Sequence, residues 1–469
     1  MKTRENIVRP LSPSGGGRGR NLVFHKLSDK IKKLNRYILL KKSFFDLLSK
    51  PSPCPLRRGI ENARFHKSKL SDFILRPGII IVTILIFAVS QKTVAREAPA
   101  GFTEDFTSPQ LPGWRIITGS GDLIADRTVT LTCRNGIGIF RIDATNDRRN
   151  IWWAVMNHEI TDHIDRSLLG KPDKAIRIEA KVRLPKPRRF NMSLNYTGTT
   201  DYHADLAEFD IDDSDWHVVS YTDKEFGAKP ADQVFVQLAV MDAGREVITV
   251  ELEYIQVTIV DAATAGPDLG NPMPYRPPLK GPENFTNSLV VKEDAIIDSA
   301  YPWVNFSKWQ DASADSKPLL SISGSQISIL RWDFSGFAGK KPKGWGLLVL
   351  TTHSVYYAPS DLEEFGYVRM VEIKGGDSSW TRDRVTFESL LQGKTVSEVI
   401  HPQLVMDSPP EQKKGAKTIL PVSPPVMERL FSGKTKGLAF YSQGAVNASF
   451  ASSEADNPQD RPTLYFDIE

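Results

Sequence analysis

Cysteine is almost missing from this chain, with two among 469 residues. Cys54 lies in a basic N-terminal leader and Cys133 in the alternating run Val129-Thr-Leu-Thr-Cys133. If the leader is removed, no internal disulfide can form. Core burial alone must then hold the fold, and the length suffices for it. In its alternating run Cys133 reads as a small core residue. Histidine is also sparse, eight in all and scattered. Neither a His-Glu-x-x-His helix nor a Gly-x-Ser-x-Gly elbow occurs, so the zinc-protease and α/β-hydrolase signatures are absent. Gly119-Ser-Gly-Asp122 lacks a strand–loop–helix context and reads as a turn, not a phosphate loop. No long apolar stripe of 3.6-residue period is present in residues 101–261, and the chain shows no solenoid or propeller repeat.

The charge is unevenly spread. Residues 1–95 hold about 20 Lys/Arg against about 5 Asp/Glu, out of 60 and 56 in the whole chain. The remainder is therefore acidic, which argues against nucleic acid as its partner, because phosphate contacts need a positive face. Within residues 73–95, Gly78 to Ser90 is an unbroken small and apolar run, preceded by Arg76 and followed by Thr93-Val-Ala95. It is short for a membrane span and has the form of a secretory signal with a cleavage site. The other reading is an uncleaved anchor with a basic cytoplasmic tail, the one route by which a membrane would be a partner. Residues 1–72 form a basic leader, expected to be disordered, with a basic amphipathic stretch from Asn21 to Lys50. The expected location is secreted or at the cell surface.

Two strand-rich blocks follow. In residues 101–261, Ala175-Ile-Arg-Ile-Glu-Ala-Lys-Val-Arg-Leu184 alternates apolar and charged, the pattern of a strand with one solvated face. Asp232–Val240 and Val247–Val260 repeat it, and Asp162 to Leu169 leaves room for a helical turn or two. Residues 262–283 carry Gly266-Pro, Asn271-Pro, Met273-Pro, Arg276-Pro-Pro and Gly281-Pro. Proline at that density removes ladder donors and stiffens the chain, so the segment reads as a spacer. Residues 284–469 form the second block. The expected fold is all-β: two jelly-roll-like β-sandwich domains joined by a Pro-rich linker, after a basic leader.

The second block has an ordered set of short motifs: Asp294-Ala-Ile-Ile-Asp298, Leu330-Arg-Trp-Asp333, Trp380 with Val385-Thr-Phe387, Ser452-Ser-Glu454 and Pro462-Thr-Leu464. In order and spacing, over about 175 residues, these resemble the DNRLRE-type carbohydrate-binding modules, carbohydrate-binding module family 96. One departure is the first insertion, usually rich in Gly and Asn, which here reads Tyr301-Pro-Trp-Val-Asn-Phe-Ser-Lys-Trp309. The opening Phe102 to Trp114 and the closing strand to Asp261 are similar to the first and last strands of galactose-binding-like jelly-roll modules. The resemblance implies noncatalytic binding of a polysaccharide, with an acidic one such as alginate as a candidate. Lys340-Lys341-Pro-Lys343 and Lys413-Lys414 with Lys417 are the basic runs that would meet such a ligand.

Sugars are held by aromatic faces and planar polar groups. The candidate ligand-binding residues are therefore Trp152, Trp153, Tyr202, His203, Trp303, Trp309, Arg331 and Asp333. Adjacent Trp152 and Trp153 would point to opposite faces of a strand, so one of them belongs to the core. Trp216 also reads as core. For Arg331, Asp333 and Glu454 the competing reading is a structural ion pair that fastens the last strand. No cofactor is required. Calcium is the one ion suggested, at Asp105 and Asp261 by likeness to related sandwiches, with ordinary surface carboxylates as the alternative. An enzyme is not the preferred reading. If one is present, it is a polysaccharide lyase or hydrolase in residues 101–261, with Asn195, Tyr202 and His203 as the lyase set. The nearest glycosidase pair, Glu208 and Asp210, is too close in sequence to flank a bond. A third reading is a structural or adhesive cell-surface protein, since sandwiches host all three.

Overall fold

The structure, a computed structural model, describes residues 101–119, 128–146, 153–201, 203–241, 246–277, 280–308, 318–357 and 366–469. The leader, the apolar run at 78–90, Cys54, Trp152, Tyr202 and Trp309 lie outside the described residues.

The first block folds from β1 (Phe102–Glu104), β2 (Arg115–Gly119), β3 (Val129–Arg134), β4 (Ile137–Asp143), β5 (Trp153–Glu159), β6 (Lys174–Arg183), β7 (Arg188–Tyr196), β8 (Leu206–Ile211), β9 (His217–Asp223), β10 (Val234–Met241), β11 (Val247–Asp261) and β12 (Met273–Pro274). One antiparallel sheet runs β3-β4-β11-β6-β9 with β1 on β11, and the other runs β12-β8-β7-β10-β5-β2. The first strand pairs with the last long one, Phe102 opposite Val257. Alternation builds the core: Ile176, Ile178, Ala180 and Val182 of β6 point inward, and the charged residues between them face out. Phe106 has a left-handed backbone (φ 53°) and its ring lies where a side chain on Gly138 would stand. Cys133 is partly buried against the same core, its thiol donating to the Phe106 carbonyl. The expected helical turns are 3₁₀ turns at Thr161–His163 and Arg166–Leu168.

The second block comprises β13 (Asn287–Val290), β14 (Glu293–Asp298), β15 (Leu319–Ile322), β16 (Gln326–Arg331), β17 (Gly346–Tyr357), β18 (Tyr367–Ile373), β19 (Ile400–Ser408), β20 (Lys417–Val422), β21 (Gly437–Gln443), β22 (Val446–Ala451) and β23 (Thr463–Phe466). Its sheets run β13-β23-β17-β22-β15, with β20 on β17, and β14-β16-β21-β18-β19. Among the described residues three short α-helices accompany them, α1 (Phe387–Leu391), α2 (Val396–Val399) and α3 (Pro424–Phe431). The β14–β19 sheet is covered on both faces. Leu330, Val368 and Met370 enter the sandwich core, whereas Ile329, Val371 and Ile373 pack under α1 and α2 with Trp380. Burial on both faces is why these strands read as continuous apolar runs.

The proline-rich segment is not a free spacer. Arg177 donates to the carbonyls of Ala265 and Pro267 and to Asp268, Leu269 bonds Ser220 in both directions, and β12 pairs with β8. Met273 is buried and sits opposite Glu208. An edge strand tolerates Pro274 because one side of it needs no ladder donor.

Candidate functional site

Positions i and i+2 on β7 and β8 lie on one face, and that rule places Arg189 opposite Asp210 and Asn191 opposite Glu208 on the outer face of their sheet. This face meets the second sandwich. Arg189 donates to Asp210 (2.7 Å), to Glu208 (3.0 Å), to the Val405 carbonyl (3.1 Å) and to Ser423 (2.9 Å). Arg429 of α3 reaches back to Asp210 (3.0 Å) and Asp212 (3.0 Å) and grips Glu372 with two bonds of 2.8 Å. Burial alone would raise Asp210, but Arg189 and then Arg429 bring it down to about 2. Burial pushes Glu208 up to about 7 against the pull of Arg189. The pair considered for glycoside hydrolysis is therefore enclosed between two arginines, with no room for a sugar between them.

Along the same outer face, directly opposite residues share a side. Arg115, Asn157, Gln237 and Ser193 form one row across β2, β5, β10 and β7. Asn195 donates to Gln237 (2.5 Å), and Asn157, Ser193 and Asn195 are all buried. His203, in the β7–β8 turn, stacks on Tyr275 at 4.3 Å and lies 3.6 Å from Asp201, which Arg276 also holds. Burial, and then Arg276, keep its imidazole below the ordinary range. Beside it, burial and the neighbouring Asp223 carboxyl push Asp205 up to about 7. Trp153 opens β5 opposite Met241 and Gly119. Trp216 is not in the core. It is half-buried on the outside of its sandwich, under the Arg183 guanidinium at 4.8 Å. The expected core position assumed a place on the strand, but Trp216 precedes β9 rather than sitting in it.

Asp105 is exposed and accepts from the amide and hydroxyl of Thr107, and Asp261 is ion-paired with Lys174. The β1–β11 register places Asp105 beyond Glu104, which faces Ile255, and so several residues from Asp261 along β11. At ~3.3 Å per residue that is roughly 20 Å, so the two carboxylates do not share one ion. Among the described residues no group of three His, Cys, Asp or Glu is placed to hold a metal.

Among the described residues, the second sandwich presents the most open aromatic surface. Trp303 is 73% exposed and Tyr301 58%, with Val304 beside them. The loop carrying them is nonetheless fixed. The Asn305 amide donates to the carbonyls of Arg382 (2.8 Å) and Val385 (2.7 Å), Val304 closes a turn onto the Tyr301 carbonyl, and the Pro302 carbonyl accepts from Glu388. The motif residues lie around its base in structural roles. Arg331 donates to the Trp380 carbonyl (2.6 Å) and lies over that indole at 5.4 Å. Asp333 pairs with Lys292 (2.7 Å), and Glu454 with Arg382 (2.6 Å), which is also ion-paired to the fully buried Asp294. Trp332 is buried in the core. Arg382, absent from the candidate set, is the hub. Only its contacts 88 positions away reveal it, and nothing local in Trp380-Thr-Arg-Asp383 does so.

No family model matches the chain, and no curated protein does. Several solved structures align with parts of it. A family 4 carbohydrate-binding module shares 22% identity over 31% of this chain and 86% of its own, with TM-score 0.22. A tandem of family 22 modules from Paenibacillus barcinonensis shares 11% over 80% and 98%, with TM-score 0.25. A family 11 module from Clostridium thermocellum, solved with a mixed-linked tetrasaccharide, shares 12% over 34% and 94%, with TM-score 0.22. At TM-scores this low none of these likenesses identifies a family or a ligand, and the chain's own side chains must do so.

Proposed function

We propose that this is a secreted or cell-surface protein that binds polysaccharide without cleaving it, through the Tyr301–Val304 loop of the second sandwich. The observation that carries the reading is the exposure of Trp303 on a loop locked by Asn305. An indole left in water forfeits the burial of a large apolar surface. A sugar ring restores it, packing its C–H face on the aromatic face, and a pre-set loop loses little entropy on binding. The resemblance to DNRLRE-type modules supports the same conclusion, and acidic polysaccharides such as alginate are the first ligands to try. No nucleic acid and no cofactor enter this reading, and calcium is a variable of the experiment.

A polysaccharide lyase is the second reading, favoured by His203 in a polar turn beside Asp201, its imidazole held below the ordinary range by burial. The commitment of the Asn195 amide to Gln237 weighs against it. Both readings are tested by retention of the protein on a panel of immobilised acidic and neutral polysaccharides, with and without calcium, while ultraviolet absorbance is followed. Binding predicts retention at constant absorbance. Rising absorbance that His203→Ala abolishes would establish the lyase instead.

A further inference from the structure

A pocket of about 410 Å³ opens on the first sandwich, between the turn after Arg166–Leu168, the start of β6, the β9–β10 loop and the end of β11. That volume lies in the range of ligand pockets, ~300–1,000 Å³. Its floor is apolar: Leu169 and Phe226 are buried and Ile259 packs against the same core. Its rim carries Lys171, Lys224 and Lys229, all exposed. None of the three makes an ion pair among the described residues. Lys174, also at the rim, is already neutralised by Asp261 and Asp173. Glu225 is the one carboxylate among the lining residues. A positive rim thus lies over an apolar floor.

The geometry points to this pocket as a binding site for an anionic sugar unit, carrying a carboxylate or a sulfate. The apolar floor accepts the C–H face of the ring. Three flexible ammonium groups meet the anion as point charges, which suits either oxyanion without demanding a fixed fork. The inference extends the polysaccharide-binding reading to a second site, which shares no residue with the Trp303 loop. It also answers how an acidic chain would hold an acidic ligand, with Lys171, Lys224 and Lys229 in place of the lysine runs of the second block. One of those runs is partly committed, since Lys417 bonds Thr351 and Asp460.

The test is isothermal titration of the full chain with trigalacturonate, a sulfated galactan trisaccharide and neutral cellotriose. The comparison is between the wild type, the K171E/K224E/K229E variant and the milder K171Q/K224Q/K229Q variant. The basic leader is common to all three, so differences report the pocket. The expected result is at least a tenfold loss of affinity for one or both anionic trisaccharides in the Glu variant and a smaller loss in the Gln variant. Loss for the uronate only assigns a carboxylate site, and loss for the galactan only assigns a sulfate site. Equal affinities in all three proteins for both anionic probes would overturn the inference. Trp303→Ala separates it from the main reading, because that variant should weaken polysaccharide retention and keep the lysine-dependent titration.

Discussion

At the scale of single residues, the same residue types do opposite work depending on what surrounds them. Trp380 and Trp332 are buried, whereas Trp303 stands in water. Sequence spacing separated the core tryptophan of Leu-Arg-Trp-Asp from its polar neighbours, because strand alternation is local. It also drew attention to Trp303 and Asn305, because an aromatic pair around an amide in a turn-rich segment has no core periodicity. It did not reveal Arg382 or Arg189, whose partners come from strands far away in the chain. Arg382→Ala leaves Asp294 buried without its counter-ion, and a broken buried pair costs about 3–5 kcal/mol. Chemical denaturation should show a loss of that order, against little or no change for Lys292→Ala at the exposed pair with Asp333. Asn305→Ala should leave Trp303 in place chemically but release its loop. Weaker glycan binding with an unchanged melting temperature is the expected outcome, seen by titration alongside a thermal scan.

At the scale of elements, the strands were legible wherever one face is solvated, as on β6, and harder to phase where both faces are buried, as on β16 and β18. The helices α1 and α2 are too short for a periodic stripe, yet each begins with a capping box. Thr386 and Ser389 bond reciprocally at α1, and at α2 the Glu398 carboxylate accepts from both the amide and the hydroxyl of Thr395. The Thr395-Val-Ser-Glu398 spelling is the usual form of that signal. The proline-rich segment misled because proline excludes a central strand but not an edge strand. The paired carboxyls at the β8 and β9 ends give these elements a pH dependence. Burial and Asp223 raise Asp205 to about 7, so the folded state holds its proton more tightly than the unfolded chain, where the ordinary value is 3.8. The associated stability is fully present below the ordinary value and is lost as pH rises through about 7. Melting curves of wild type and Asp205→Asn across that range should therefore converge at the acidic end, with the wild type losing stability relative to the variant towards neutrality. Parallel curves would contradict the assignment.

At the scale of the whole molecule, two sandwiches that sequence patterning reads as modules on a tether meet through a buried ionic cluster. Arg189 spans to Val405 and Ser423, and Arg429 spans to Asp210 and Asp212. Such a junction fixes how the Trp303 loop and the lysine-rimmed pocket are disposed. Removing Arg429 leaves Glu372 and Asp210 short of a counter-charge, so Arg429→Ala should split a single calorimetric transition into two. A single unshifted transition would mean the junction adds nothing to cooperativity. The central claim is that a fixed, exposed indole binds polysaccharide. The most direct measurement is the affinity of wild type and Trp303→Ala for whichever polysaccharide retains the protein, with melting temperatures taken on the same samples. The account predicts at least a tenfold loss of affinity at an unchanged melting temperature, and equal affinities would contradict it.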